Sequence, residues 1–326
     1  MKTLIYGAGP IGQWLALRLR HAGSDVSLLA RNETRDRLER DGVVLTDGFS
    51  GKRLEARPRI VSSVDPDDDY DLVVVAMQRS NRLAVCPILA RNENLKNILF
   101  LGNDIEGFRR YLRHLPQKTV LLGFPGAGGG WRGDRLVVMD RKRPEGPFGE
   151  IFIGEIDGIK RRRTWEIGKL FEAAGIDVHI EPDMDGWLKY HFAFMAPTAG
   201  AILEKRGDLE AVADDPELIH RYCRACREAA NVLRKIGYTR RQPPIFNLYF
   251  WLPRWLEPKV FANLFRSDAA EIRFGLHARC VGPELADLAD EFHLITRLAG
   301  METPTLDQLL QSVLLPELRG QDQEVA

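Results

Sequence analysis

A glycine-rich segment near the start of the chain has the spacing of a turn that can cradle phosphate groups. It is Gly7-Ala8-Gly9-Pro10-Ile11-Gly12, a G-x-G-x-x-G pattern. In such a turn the first glycine permits a tight bend, the second lets the backbone approach a pyrophosphate, and the third lets a helix pack against a strand. The free N–H groups and positive dipole end of that helix then favour the phosphates. The spacing predicts that these six residues bind a dinucleotide.

The elements around this turn are the ones that the chemistry requires. Residues 2–6 indicate a short buried strand, residues 11–22 carry apolar side chains at a helical period, and a second strand is predicted at 26–29. A glycine turn between a strand and a helix, in a unit of about thirty residues, is typical of a Rossmann dinucleotide fold. The alternative is a glycine-rich turn that holds no ligand.

The end of the second strand indicates which dinucleotide binds. NAD-binding folds usually carry an acidic residue there for the ribose 2′-OH, whereas an arginine suits the 2′-phosphate of NADP. This chain has Arg31 at that place, and a planar guanidinium pairs well with phosphate. Against this, Glu33 lies close by, and Arg31 could instead be a solvated charge that opens the next helix. The residue type favours NADP(H) over NAD(H).

Polar side chains follow two further apolar strands. Gln78 comes directly after the apolar run 71–77, and Asn103 follows the run 97–101. Because ligands of open α/β sheets bind beyond the carboxyl ends of the strands, we expect both side chains near the nicotinamide half of the cofactor. Ordinary turn chemistry is the alternative for both. The glycine-rich run 123–130 either allows close backbone approach to a ligand or forms a flexible lid.

The composition limits the class of partner. The chain has 326 residues, 44% of them apolar, and its 46 basic and 46 acidic side chains cancel. Balanced charge gives no support for nucleic acid or an anionic membrane as partner, and the charge-free stretches are too short to cross a bilayer. The four scattered cysteines indicate cytosolic thiols. Cys223 and Cys226 are interpreted as two thiols on one helix face rather than as a metal or redox site.

The alternation of strands and helices stops near Pro182. We therefore predict an α/β fold, with an N-terminal Rossmann dinucleotide-binding domain at residues 1–182 and an all-helical domain at 183–326. Core packing is expected for the aromatic stretch 246–255. The predicted helices of the second domain are 187–203, 216–236, 269–280, 283–299 and 305–315.

These features, in this order, resemble the ketopantoate reductase family. The resemblance rests on the glycine turn, the strand end at Arg31, Asn103 after a strand, Trp187-Leu188-Lys189 at the start of a helix, and Glu271 late in the chain. It spans nearly the whole chain, and its order and spacing are more specific than any single motif.

The resemblance implies roles for residues of both domains. It implies that Lys189 is the catalytic lysine that protonates the carbonyl oxygen as hydride arrives, and that Glu271 orients substrate, cofactor or lysine. It also implies Asn103 at the nicotinamide, Gln78 near the cofactor where the family often has lysine, and Gly129 at a backbone contact to the nicotinamide. From the residues alone, Lys189 could be a surface lysine and Glu271 half of a helical ion pair.

The chain departs from the family at the residues that bind substrate. Ala193, Ala196 and Pro197 stand where the resemblance implies asparagines one and two turns after the lysine, and Ala262 stands where it implies a serine. A site built to bond a hydroxyl rejects substrates that lack one, because its own polar groups are left unpaired. A site without those groups is expected to favour a more apolar substrate than ketopantoate.

Two functions are therefore expected. The first is an NADPH-dependent reductase of a small 2-oxo acid or related carbonyl, with Lys189 as proton donor, Glu271 as orienting acid, NADP as cofactor and no metal. The second is an NADP(H)-binding regulatory or interaction protein that has lost turnover. A cytoplasmic location and a homodimer are also expected, and neither nucleic acid nor a membrane is an expected partner.

Overall fold

The chain forms two compact units. The structure is a computed structural model that describes residues 1–48, 50–133, 135–139, 149–241, 244–267, 270 and 282–314. By their internal contacts, Met1–Asp185 form the first unit and Gly186–Ala326 the second.

The first unit alternates strands with helices. Its helices are α1 (Pro10–His21), α2 (Asn32–Asp41), α3 (Arg79–Ala90) and α4 (Arg162–Ala173). Its strands are β1 (Thr3–Tyr6), β2 (Val26–Leu29), β3 (Val43–Asp47), β4 (Arg53–Ala56), β5 (Arg59–Val61), β6 (Leu72–Val75), β7 (Ile98–Leu101), β8 (Val120–Pro125), β9 (Gly128–Arg132), β10 (Arg135–Met139), β11 (Glu150–Glu155) and β12 (Asp177–Ile180).

The main sheet has eight strands in the order β12-β11-β8-β7-β6-β1-β2-β5. From β5 to β8 every neighbouring pair is parallel, while β11 runs antiparallel to β8. The six parallel strands have the order of a Rossmann sheet, and the direction of winding reverses between β1 and β6. All residues of β1, β2, β6 and β7 are buried, because helices and further strands cover both sheet faces. The predicted Rossmann domain is confirmed.

A second, four-stranded sheet has the order β4-β3-β10-β9 and packs against α1. Strand β4 is not apparent from the sequence, because its residues are mostly exposed or half-buried. The glycine-rich run 123–130, expected to be a close-approach segment or a lid, is mostly taken up by β8 and β9. Glycine disfavours strands locally, but pairing of β8 with β7 and β11, and of β9 with β10, makes these segments extended.

The second unit is helical throughout the part that the structure describes. Residues 244–247 and 254–256 form short 3₁₀ turns. The helices are α5 (Met184–Glu204), α6 (Leu209–Ala213), α7 (Pro216–Lys235), α8 (Leu248–Trp251), α9 (Glu257–Arg266), α10 (Gly282–Ala299) and α11 (Pro304–Leu314). The helix predicted at 269–280 falls outside the described residues, apart from Ala270. The described helices include none that is long and apolar enough to cross a membrane.

The aromatic stretch 246–255 divides into buried and exposed members. Phe246 and Tyr249 are buried, in agreement with the expectation of core packing. Trp251 and Trp255 are instead 73% and 77% exposed, so that expectation is wrong for them. The short α8 and the 3₁₀ turn after it turn these two indoles away from the core.

Candidate functional site

The glycine turn joins β1 to α1 and leaves open space beside its middle glycine. Gly7 has φ +119°, and a Cβ there would lie 2.5 Å from the carbonyl oxygen of Ala76. A Cβ on Gly12 would lie 1.8 Å from the carbonyl oxygen of Gly7. The Cβ position of Gly9, by contrast, has no neighbouring heavy atom within 4 Å. Packing therefore requires the first and third glycines, while the second leaves room for a ligand against the backbone.

Helix α1 begins at this open space. Gly9 is its N-cap, Pro10 is its first residue, and no acidic residue lies in its first turn. The first-turn N–H groups of a helix have no intrahelical partner and attract anions. The buried Gln13 holds the turn, because its Nε2 donates a 2.7 Å hydrogen bond to the carbonyl oxygen of Ala8. Sequence reasoning missed Gln13, although a polar residue within the apolar period of α1 was a usable signal.

Arg31 lies just beyond the carboxyl end of β2, where the apolar run before it predicts a strand end. It is exposed and is the N-cap of α2. Its Nη2 donates a 3.0 Å hydrogen bond to the hydroxyl of the buried Tyr6, the last residue of β1. A guanidinium has five N–H donors, so this contact fixes the side chain while other donors stay available to an anion. Sequence reasoning missed Tyr6 as the partner of Arg31.

Gln78 and Asn103 lie at the same edge of the sheet as the glycine turn, since they follow the neighbouring strands β6 and β7. Gln78 is exposed and is the N-cap of α3. Asn103 is buried, 7% exposed. The sequence thus predicts correctly that both residues follow strand ends at this edge.

Arg82, which the sequence reading did not identify, ties these two strand ends together. This buried residue of α3 donates from Nε to the carbonyl oxygen of Met77 over 2.9 Å and from Nη1 to that of Asn103 over 2.8 Å. Gly102 has φ +122°, which strains any other residue, and a Cβ there would lie 2.1 Å from Arg82 Nη2 and displace that guanidinium. Nothing local marks Arg82 in the sequence, because both partners are backbone carbonyl oxygens and Asn103 lies 21 residues further along the chain.

A buried polar cluster fixes the turn that follows Asn103. The carboxylate of Asp104 accepts hydrogen bonds from the Tyr111 hydroxyl at 2.6 Å, from Arg110 Nη2 at 3.0 Å and from the Gly107 amide at 2.8 Å. Burial raises the pKa of Tyr111 to about 12, so its hydroxyl stays a donor to the carboxylate. The Tyr111 ring also stacks on Phe100 of β7 at 3.9 Å between centroids.

Gly129 lies in β9, opposite Val138 of β10. A Cβ on it would lie 2.5 Å from the carbonyl oxygen of Val137. This close packing is reason enough for a glycine at the position. Its contact with a nicotinamide stays a prediction.

Lys189 lies on α5 in the second unit and is buried, 5% exposed. Its Nζ lies 5.0 Å from the ring centroid of Tyr238, within the range of a cation–π contact. Tyr238 is held from both sides, because its amide donates to Leu233 at the end of α7 and its carbonyl oxygen accepts a 2.7 Å hydrogen bond from the Tyr190 hydroxyl. Because Lys189 is buried, it is not the surface lysine that the residues alone allowed. Sequence reasoning missed Tyr238.

The residues that depart from the family pattern are all buried. Ala193 and Ala196 are fully buried on α5, with Pro197 next to them, and Ala262 of α9 is 5% exposed. None of these side chains has a polar group. Glu271, the predicted orienting acid, lies outside the described residues.

The cysteines of the described chain are buried free thiols. Cys223 and Cys226 lie fully buried on α7, and burial raises the pKa of each well above the ordinary value. Burial likewise raises the pKa of Cys86 to about 11. Among the described residues, no cluster of three or more His, Cys, Asp or Glu side chains could hold a metal ion.

Comparison with known sequences matches the glycine turn, Arg31, Gln78, Asn103 and the small sheet to one family. Residues 3–157 match the family described as "Ketopantoate reductase PanE/ApbA". This chain resembles the ketopantoate reductases. The resemblance predicted from the residues is thereby confirmed.

Two curated relatives are 24% identical to this chain. One is an uncharacterized oxidoreductase, YkpB, of Bacillus subtilis, matched over 61% of this chain and 64% of its own length. The other is a 2-dehydropantoate 2-reductase of Halobacterium salinarum, matched over 58% of this chain and 61% of its own length. The match therefore spans less than two thirds of either relative.

Solved structures share the fold over nearly the whole chain. A PanE/ApbA family ketopantoate reductase from Ralstonia eutropha has a TM-score of 0.71 at 19% identity and covers 98% of this chain and 100% of its own. D-mandelate dehydrogenase in a ternary structure with NADH and anilino(oxo)acetate has a TM-score of 0.73 at 14% identity, covering 96% and 97%. The ketopantoate reductase fold, with its Rossmann part and helical part, is thus established for this chain.

Proposed function

We propose that this protein is an NADPH-dependent reductase of a small 2-oxo acid or related carbonyl, of the ketopantoate reductase kind. The observation that carries the proposal is the open space at Gly9 between two glycines that packing requires. The family match over residues 3–157 and the 2-dehydropantoate 2-reductase relative support the reaction class. The fold shared with a D-mandelate dehydrogenase, whose structure holds NADH, supports a nicotinamide cofactor.

The described residues fit a bound dinucleotide. The backbone from Gly7 to Gly12 would hold the pyrophosphate, since the open N-terminus of α1 lacks an acidic residue. Arg31 would hold the ribose 2′-phosphate, and an arginine there favours NADPH over NADH. Gln78 and Asn103, at the ends of the neighbouring strands, would contact the nicotinamide half. When bound, the cofactor supplies the hydride.

The proton for the reduced carbonyl is assigned to Lys189. Hydride addition builds negative charge on the carbonyl oxygen, which needs a positioned donor. A buried ammonium fixed by an aromatic face is such a donor, since burial strengthens its hydrogen bond to the developing charge. Glu271 is proposed, from the resemblance alone, as the acid that orients the lysine or the substrate.

The substrate is proposed to be more apolar than ketopantoate. Ala193, Ala196 and Ala262 offer no hydrogen bond to a substrate hydroxyl. A pocket whose side chains hydrogen-bond a substrate hydroxyl rejects substrates without one, because those side chains are then left unpaired. With alanines at these positions, this chain should not reject such substrates. We further propose that residues 1–182 are the cofactor domain and residues 183–326 the catalytic domain.

A second function is favoured by the same alanines. A chain that keeps the cofactor turn but loses its substrate-binding side chains could be an NADP(H)-binding regulatory or interaction protein without turnover.

One experiment separates the two proposed functions. NADPH and NADH binding is measured by fluorescence titration, and NADPH oxidation is followed with 2-oxo acids of increasing apolar size. Turnover of any of them supports the reductase, binding without turnover supports the second function, and no binding of either cofactor contradicts both.

A further inference from the structure

A basic pocket on the second unit takes no part in the proposed reduction. It has a volume of about 220 Å³. Most of its lining comes from one face of α7, where residues three and four positions apart are neighbours. The lining residues are Glu217, His220, Arg221, Arg224, Arg227 and Arg254.

A buried carboxylate holds two of the basic side chains in place. Glu257 of α9 is only 1% exposed. Its Oε1 accepts a 2.6 Å hydrogen bond from Arg227 Nη1, and its Oε2 lies 2.8 Å from His220 Nδ1. Arg227 also donates to the carbonyl oxygen of Tyr249 over 2.8 Å. Protein contacts therefore hold this wall of the pocket in place, so binding would cost little side-chain entropy there.

The other three arginines of the pocket differ in their partners. The charge of Arg221 is balanced by Glu204, to which it donates a hydrogen bond over 2.9 Å. Arg224 and Arg254 are exposed, and neither side chain has a hydrogen bond or ion pair with any described residue. Two unpaired guanidinium groups thus face one pocket whose remaining arginines are already neutralised.

We propose that this pocket binds a phosphoryl group, free or as a small phosphate ester, between Arg224 and Arg254. A guanidinium presents a planar fork of donors that matches phosphate oxygens. The volume of about 220 Å³ well exceeds the roughly 30 Å³ share of one water molecule, so a tetrahedral anion fits. All lining residues lie in the second unit and none is proposed to bind the dinucleotide, so this is a separate site.

Glu217 makes the proposal more specific. Its exposed carboxylate lines the same pocket and opposes a bound anion. Glu217→Gln removes that repulsion and should tighten phosphate binding, while a pocket without a ligand gains nothing from the change. This direction of effect is opposite to the usual loss on mutating a site residue.

Calorimetric titration of the full chain with inorganic phosphate tests the proposal. Sodium chloride at equal ionic strength is the reference, and no cofactor is added. The double variant Arg224→Gln/Arg254→Gln should bind phosphate at least about tenfold more weakly than wild type, because the loss of even one charge-assisted hydrogen bond lowers affinity by about that factor. Arg234→Gln is the control, because Arg234 is exposed on the same helix but outside the pocket. Glycerol phosphate in place of phosphate tests for an ester.

Each outcome decides the question. A tenfold or greater loss confined to the double variant, with tighter binding in Glu217→Gln, supports the site. Equal affinity in wild type and double variant overturns it, because phosphate then binds elsewhere, such as at the glycine turn. Absence of phosphate binding to wild type overturns it as well. NADPH turnover is not measured, so failure here is independent of the proposed reductase activity.

Discussion

At the residue scale, the two glycines of one turn should respond oppositely to the same added methyl group. Gly9→Ala has open space and φ in the ordinary negative range, so folding should be kept while NADPH affinity falls. Gly12→Ala drives a Cβ into the carbonyl oxygen of Gly7 and should cost about 1–3 kcal/mol of stability or more. Thermal unfolding and NADPH titration of both variants measure this. Equal stability losses would contradict the assignment of roles.

Arg31 should distinguish the two cofactors. Arg31→Ala removes the proposed charge-assisted phosphate contact, which is worth roughly 1.5–3 kcal/mol, so NADPH should bind about tenfold to a hundredfold more weakly while NADH changes little. Tyr6→Phe is the matched variant, because it keeps the charge and removes only the 3.0 Å hydrogen bond that orients it. It should give a smaller loss, again confined to NADPH. A similar loss for both cofactors in Arg31→Ala speaks against a 2′-phosphate contact.

Lys189 should affect turnover and not cofactor binding. Lys189→Ala should lower turnover by about 10²–10⁴, the usual contribution of a positioned acid, with NADPH affinity nearly unchanged. Tyr238→Leu removes the aromatic face at 5.0 Å and should give a smaller loss. Lys235→Ala, at the exposed end of α7, is the control. Near wild-type turnover by Lys189→Ala would show that the resemblance covers fold and cofactor only.

At the scale of elements, α3 is the link between two strand ends. Arg82→Met leaves two carbonyl acceptors unpaired and frees the ends of β6 and β7, so NADPH affinity and kcat/KM should both fall. Gly102→Ala places a Cβ 2.1 Å from Nη2 of the same guanidinium and so displaces it. Because both variants disturb one contact, the double variant should lose less than the sum. Arg91→Met, at the far end of α3, should be silent, and additive losses would refute the shared contact.

The buried thiols of α3 and α7 should make the stability of the folded protein depend on pH. Burial raises the pKa of Cys86 from 9.0 to about 11, and raises those of Cys223 and Cys226 further. Above about pH 9 the unfolded chain loses thiol protons that the folded chain keeps, so stability should fall as pH rises. Native thiols should also react slowly with an alkylating reagent and quickly after unfolding. Cys86→Ala should flatten the fall between pH 9 and 11, the window set by its two pKa values.

At the scale of the whole molecule, the proposed function places the reaction chemistry and the substrate specificity in different parts of the chain. The Rossmann unit carries the glycine turn and the family match. The helical unit carries Lys189 and the alanines that replace the expected substrate-binding groups. A protein of this kind can keep its chemistry while its substrate changes, since hydride transfer needs the cofactor and an acid but specificity comes from pocket contacts.

The sequence alone determined the features that repeat locally. Buried parallel strands have continuous apolar runs, helices have a 3.6-residue period, and the glycine spacing encodes a turn, so β1, α1 and the longer helices α5, α7, α10 and α11 were predictable. The shorter helices α6 and α9 were not predicted. The strand-end positions of Arg31, Gln78 and Asn103 followed from the same patterns.

Only the tertiary structure decided which distant residues meet. Arg82 donates to the carbonyl oxygen of Asn103, and Lys189 lies against Tyr238, although no local pattern connects either pair. The glycine-rich run became β8 and β9 because partner strands paired with it, and Trp251 and Trp255 remained exposed while Phe246 was buried. The physical reason is that local propensity sets the period of a segment, whereas its partners depend on contacts between segments remote in sequence.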